Sequence, residues 1–147
     1  MNNQDAKTII HKEVVFLIIL AAISLFCSWG SFLLPFNIEA EDSKNAYQYF
    51  SAEKYCNPLM LCSLLCLGVC SFICLFSFWE IDHCLKRKKV LSGLIIYLLQ
   101  SFFYTVFSFT ATNYTLNLAP CSLAVAIILL FVCDCIFDKT DTLLKSK

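Results

Sequence analysis

Charged residues are scarce in this sequence. Asp, Glu, Lys and Arg make up 15% of its 147 residues, whereas a soluble domain carries about 25%. Hydrophobic residues reach 59%, and the mean hydropathy is +0.73. The 11 basic and 11 acidic residues balance, so the excess of positive charge that binds a nucleic-acid backbone is absent. This composition excludes a soluble enzyme and a DNA-binding protein, and it indicates a chain that faces lipid.

Long polar segments are also absent. Four apolar stretches cover residues 14–36, 59–79, 90–111 and 116–137, and each has the about 20 residues that a helix needs to cross the hydrocarbon layer. The first stretch is longer than the apolar core of a secretory signal, so we expect it to stay in the protein. The longest segment outside them, residues 37–58, is too short for a folded soluble domain. We predict one all-α domain, an integral membrane four-helix transmembrane bundle with short loops and no cofactor.

The basic residues are unevenly distributed. Nine of the 11 lie before the first apolar stretch, between the second and third, or after the fourth, and only Lys44 and Lys54 lie in residues 37–58. Because positively charged loops stay in the cytoplasm, this pattern predicts that both termini and the loop with Lys86, Arg87, Lys88 and Lys89 are cytoplasmic.

Local signals mark the ends of the predicted helices. Asn57 followed by Pro58 is typical of an N-cap with proline at the first helical position. Asn117 is expected to cap the fourth helix in the same way, and Pro35 to end the first. Between the first two spans, a short helix is predicted over residues 46–55.

No C-x-x-C pair occurs among the ten cysteines, which argues against a thiol oxidoreductase. Four cysteines recur every fourth residue on the second span, at Cys62, Cys66, Cys70 and Cys74. Small residues in such a ridge favour close helix packing. Metal ligation is disfavoured, because the spans offer no charge to compensate buried thiolates.

Other cysteines lie near the membrane surfaces. Cys84, Cys133 and Cys135 are juxtamembrane on the cytoplasmic side, where cysteines are often palmitoylated, and the alternative is that they are unmodified. Cys56 and Cys121 are both near the outer face, where a disulfide is permitted.

The basic run Lys86, Arg87, Lys88 and Lys89 is a candidate contact for anionic lipid headgroups, although it also serves as a general topology signal. His11 and His83 lack ligand spacing and are interpreted as solvated.

A polar stripe follows one face of the third span. Its members have helical spacing and should face the bundle interior: Tyr97, Gln100, Ser101, Tyr104, Thr105 and Ser108. Two interpretations stay open, namely hydrogen bonds between helices and the lining of a permeation path. The first is favoured, because no ionisable group lies at the middle of the spans.

Asp134 is the only acidic residue within an apolar stretch. A carboxylate there must pair, reach the headgroup region or be protonated. We therefore group it with Tyr97, Gln100 and Tyr104 as candidates for interactions inside the membrane. Its predicted partners are Ser92, Tyr97 or the basic loop, and the alternative is contact with headgroup water.

Two segments carry a family resemblance. Residues 95–111 (IIYLLQSFFYTVFSFTA) and residues 119–145, which end in LLFVCDCIFDKTDTLLK, resemble the MARVEL-domain tetraspans, and within them the chemokine-like-factor group. The resemblance implies a non-enzymatic protein of cholesterol-rich or vesicular membranes that organises membrane contacts or traffics partners. Asp134 is the one residue that it carries across.

The sequence thus predicts a scaffold or trafficking protein of the plasma membrane or endomembrane vesicles. Its expected partners are membrane lipids and other integral membrane proteins, including further copies of itself, but no nucleic acid. One alternative is a small oligomeric transporter or channel lined by the third span. Another is a cell-contact protein of the claudin and peripheral-myelin type, although the predicted outer loop lacks the tryptophan and the cysteine pair typical of that type.

Overall fold

A computed structural model describes residues 3–39, 41, 43–52, 57–111 and 117–146. Five helices run through this part of the chain: α1 (Asn3–Leu33), α2 (Ala46–Ala52), α3 (Pro58–Trp79), α4 (His83–Ala111) and α5 (Ala119–Lys145). All except α2 are long and apolar enough to cross a membrane. The predicted all-helical architecture with four long apolar helices is confirmed.

The predicted start of α3 is also confirmed. Asn57 is its N-cap, and the side-chain oxygen accepts a hydrogen bond from the backbone N–H of Leu59 at 3.0 Å. Asn117 contributes to the start of α5, since its side-chain oxygen accepts from the N–H of Ala119 at 3.0 Å, although Leu118 occupies the N-cap position itself.

Three long helices extend beyond the predicted apolar stretches. α1 begins at Asn3 and ends at Leu33, two residues before Pro35, rather than at residue 36. α4 begins seven residues earlier than predicted, and α5 continues to Lys145. Hydropathy detects only the apolar part of a helix, so it missed these polar ends. The short helix α2 falls within its predicted range, of which residues 53–55 lie outside the described part of the chain.

α4 makes the most extensive contacts of the four long helices, and it packs against α1, α3 and α5. Its contact with α3 is close at Gly93. A Cβ added to Gly93 would lie 3.2 Å from Cys74 Sγ and 3.3 Å from a side-chain carbon of Ile73. The absence of a side chain at Gly93 therefore sets how closely these two helices approach.

One end of the bundle is closed by aromatic side chains, and we call it the aromatic end (Phe36, Tyr49, Tyr104 and Phe107). The ring centroids lie 5.3 to 6.0 Å apart, at the usual distance for edge contacts. Two backbone hydrogen bonds of Phe36 hold the segment that follows α1 in place. The N–H of Phe36 donates to Lys44 O at 3.2 Å, and its carbonyl accepts from Leu118 N at 2.8 Å. The connection after α1 thus returns over the bundle and places α2 against it.

Large apolar side chains cover the outside of the four long helices. Phe26, Phe72 and Phe131 are among the most exposed. A soluble protein rarely exposes apolar surface on this scale. This surface is compatible with an integral multi-pass membrane protein.

Candidate functional site: a charged cluster, a polar interior and a crevice

Opposite the aromatic end, three helices meet through charged side chains, and we call this the charged end (Glu13, His83, Arg87 and Asp141). Glu13 of α1 is buried, with 1% of its side chain exposed. Its carboxylate pairs with the Arg87 guanidinium of α4 and lies 3.4 Å from His83 Nε2. A carboxylate removed from water needs such partners, because an isolated buried charge is costly.

Arg87 also reaches α5. Its Nη1 donates to Asp141 Oδ1 at 2.8 Å, and the guanidinium lies 5.3 Å from the centroid of the Phe137 ring. The hydrogen bond from Arg87 lowers the pKa of the Asp141 carboxyl group below its ordinary value. One arginine therefore links α1, α4 and α5 beyond their apolar parts.

The four residues of the basic run lie in different surroundings. Arg87 is engaged by Glu13 and Asp141, and Lys89 pairs with Glu80 while its Nζ lies 3.5 Å from the centroid of the Phe76 ring. Lys86 is buried. Only Lys88 of the four is exposed. Lys88 is thus the most accessible of the four, and contact of this run with anionic lipid headgroups stays a prediction.

The candidate palmitoylation sites separate by burial. Cys84 and Cys135 are exposed, but Cys133 is buried in the core. Cys84 and Cys135 are thus the accessible thiols of the three, and acylation of at least one of these cysteines stays a prediction. Of the suggested outer disulfide, Cys121 is exposed and Cys56 lies outside the described residues.

Asp134 is exposed on α5. Its predicted partners are engaged elsewhere: Tyr97 Oη donates to Ser122 O at 3.3 Å, and Ser92 Oγ donates to Lys88 O at 2.8 Å. Among the described residues, no hydrogen bond or ion pair of Asp134 is found, and its interaction inside the membrane stays a prediction. The alternative, in which the carboxylate reaches headgroup water, agrees with its exposure.

The polar stripe of α4 lies in the interior. All six members are buried. Hydrogen bonds from this stripe reach α5 and the α1 side of the bundle. Tyr104 Oη donates to Leu34 O at 3.2 Å, just after α1. Thr105 Oγ1 donates to Ala119 O of α5 at 3.1 Å. Gln100, near the middle of α4, has its side-chain amide 3.4 Å from Ser31 Oγ of α1.

Sequence reasoning missed the serines of α1 that face this stripe. Ser24, Ser28 and Ser31 are buried and follow each other at intervals of four and three residues, which is the spacing of one helical face. Cys74 Sγ lies 4.0 Å from Ser24 Oγ, and Cys70 Sγ donates to Gly93 O at 3.4 Å. Cys70 and Cys74 of the cysteine ridge thus pack against α4 and α1, which agrees with a ridge that serves helix packing.

A crevice of about 240 Å³ opens on the side of the bundle where α1, α4 and α5 meet. Its walls are mainly apolar, with small residues from α1 and α5: Cys27, Gly30, Ser31, Cys121 and Ser122. Tyr97 and Tyr104 form its inner wall. A Cβ added to Gly30 of α1 would meet no atom within 4 Å, so the crevice has open space beside this residue.

Glu13 and His83 are the members of the charged end that the sequence did not predict to pair. Glu13 lies at the edge of the first apolar stretch, and His83 is half-buried rather than solvated. The available signal was the position of one acidic residue directly beside an apolar run, since a carboxylate there needs a partner.

Comparisons with protein families, curated proteins and solved structures find no significant match to this chain.

Proposed function

We propose that this chain is a non-enzymatic multi-pass membrane protein that organises or traffics other integral membrane proteins. The four apolar helices and their short connections fit the resemblance to the MARVEL-domain tetraspans. By the distribution of basic residues, the charged end lies on the cytoplasmic side of the plasma membrane or of endomembrane vesicles.

The observation that carries the proposal is where the polar groups of α4 point. Tyr97 and Tyr104 donate to backbone carbonyls of neighbouring segments, so their hydroxyls serve the contacts between helices. The Thr105 hydroxyl lies 2.7 Å from Ser101 O of α4 and 3.1 Å from Ala119 O of α5. A transport path needs polar groups directed at the solute. These bonds therefore favour a packed scaffold over a transporter or channel lined by α4.

The crevice is the contact surface that we propose for a partner. Small residues on a membrane helix allow the backbone of another helix to approach closely, and van der Waals packing then stabilises the pair. Gly30 and Ser122 bring such residues from two different helices to the same opening. The occupant that fits this surface is an apolar transmembrane helix of another integral membrane protein.

A substitution that fills the crevice tests the proposal. Gly30→Leu places a side chain in free space, so we expect the bundle to stay folded while the recovery of co-purifying membrane proteins falls several-fold. The measurement is quantitative mass spectrometry of cross-linked, detergent-solubilised complexes from the native cell.

Gly68→Leu is the matched control, because a Cβ on Gly68 of α3 also meets no atom within 4 Å and lies away from the crevice. It should leave the partner set unchanged. Equal recovery of partners with the two variants would contradict the proposed surface, and solute flux through the purified, reconstituted protein would contradict the scaffold.

A further inference from the structure

The first turn of α4 brings a nucleophile, a base and a carboxylate together. Cys84 Sγ lies 3.8 Å from Nδ1 of His83, and the other ring nitrogen, Nε2, lies 3.4 Å from Oε2 of Glu13. Cys84 is exposed, whereas Glu13 is buried. A thiol beside an imidazole that a third group orients is the arrangement of an activated cysteine nucleophile.

The carboxylate determines which ring nitrogen of His83 carries the hydrogen. An N–H is favoured beside Glu13, because a lone pair there would face the negative oxygen. The charge of Glu13 at 3.4 Å thus favours the neutral tautomer with its hydrogen on Nε2, which leaves the lone pair of Nδ1 toward Cys84. In this tautomer His83 can take the proton of the thiol.

The remaining charged groups around this cluster have other partners. Arg87 of α4 occupies the second oxygen of Glu13 and binds Asp141 of α5. Asp82 precedes α4, and its Oδ1 accepts the backbone N–H of Cys84 at 2.9 Å, so it caps the helix. The thiol thus lies at the positive end of the α4 dipole, where negative charge is stabilised.

Apolar side chains lie next to Cys84 in the sequence and are directed outward. Ile81 is 97% exposed and Trp79 is 87% exposed, and Leu85 is also exposed. A hydrocarbon chain attached to Cys84 can cover these side chains and enter the lipid layer, and each buried CH₂ contributes about 0.8 kcal/mol.

From this geometry we propose that Cys84 is an S-acylation site that accepts a long-chain acyl group directly from acyl-coenzyme A, with His83 as its base. His83 Nδ1 takes the thiol proton while Sγ attacks the thioester carbonyl carbon. The bond from that carbon to the sulfur of coenzyme A then breaks, and the departing thiolate takes the proton from His83. One thioester is exchanged for another, and no oxidant or reductant is needed.

Cys135 provides the comparison within the same molecule. It is also exposed, and no described histidine contacts it. Acylation by simple exposure would label both thiols, whereas the proposed base acts on Cys84 alone. The inference concerns the membrane-embedded chain itself, so it stands or falls independently of any partner in the crevice.

The test is acylation of the purified full-length protein in nanodiscs by an alkyne-tagged palmitoyl-coenzyme A, without a transferase. EDTA is present, because the Asp82, His83 and Cys84 side chains also have donor atoms that a metal ion could occupy. Site-resolved mass spectrometry should show Cys84 labelled at least tenfold faster than Cys135, as a thioester that hydroxylamine cleaves.

Variants separate the base from a structural effect. His83→Ala should reduce the acylation rate of Cys84 at least tenfold and leave the acylation rate of Cys135 unchanged. Added imidazole should partly restore the acylation rate of Cys84 in this variant. Cys84→Ser should remove the fast label, and Cys135→Ser should keep it. Equal rates at Cys84 and Cys135, or an unchanged Cys84 rate in His83→Ala, would overturn the proposal.

Discussion

At the scale of single residues, the buried pair of Glu13 and Arg87 is the strongest constraint on the charged end. Arg87 has 16% of its side chain exposed and Glu13 has 1%. Removal of Arg87 takes away the permanent positive charge beside the buried Glu13 carboxylate and leaves it only His83, whose Nε2 lies 3.4 Å away. Such a loss costs much more than the pair itself contributes, because the remaining group keeps its full desolvation penalty.

We therefore predict that Arg87→Met lowers the free energy of unfolding by about 3 kcal/mol, measured by equilibrium denaturation of the detergent-solubilised protein. Lys88→Met is the control, since Lys88 is exposed in the same turn of α4, and it should change stability little. Glu13→Leu combined with Arg87→Met should recover most of the loss, because both charges are then removed. Equal stability of Arg87→Met and Lys88→Met would contradict the assigned role.

The residue scale also shows what the sequence could and could not reveal. The interior position of Tyr97, Gln100 and Tyr104 follows from helical spacing on one span, so it was predictable. The partnership of Glu13 with Arg87 depends on how α1 and α4 are placed side by side, and no spacing within either segment contains that information. The choice between a paired and an exposed Asp134 stayed open in the sequence for the same reason, since one helix alone does not show which face its neighbours cover.

At the scale of helices, the contact between α3 and α4 depends on Gly93. A larger side chain there would have to displace Cys74 or Ile73, which lie at 3.2 and 3.3 Å from the position of its Cβ. We expect Gly93→Leu to force the two helices apart and to destabilise the bundle by about 1 to 3 kcal/mol. Thermal unfolding in detergent measures the effect.

Gly68→Leu serves as the control for this prediction too, because it introduces the same side chain on the same pair of helices at a position with open space. Its melting temperature should stay near that of the unmodified protein. A loss of stability of the same size in both variants would show that the helical glycine itself, rather than the contact at Gly93, is responsible.

The helices themselves were largely predictable. Apolar runs long enough to cross a membrane predicted the four long helices, and Asn57 with Pro58 predicted the start of α3. The polar extensions of these helices were not predictable, because residues 83–89 of α4 and 138–145 of α5 are helical without an apolar pattern. The ion pairs of Arg87 with Glu13 and Asp141 hold these extensions together, and those pairs exist only in the assembled bundle.

For the whole molecule, we propose that the four long helices cross the membrane with both termini on the cytoplasmic side. The three polar segments of the charged end come from the beginning of α1, the beginning of α4 and the end of α5, and they contact one another directly. Two termini that share a cluster of ion pairs must lie on the same side of a membrane. The connection that carries α2 lies at the opposite end of the bundle.

Protease protection in sealed endoplasmic reticulum vesicles tests this arrangement directly. One protein carries three different epitope tags, one at each terminus and one inserted after Ser43. We predict that added protease removes both terminal tags, which face the outside of the vesicles, while the tag after Ser43 is protected until detergent is added. Protection of one terminal tag while the other is digested, or digestion of the tag after Ser43 in intact vesicles, would contradict the four-span bundle.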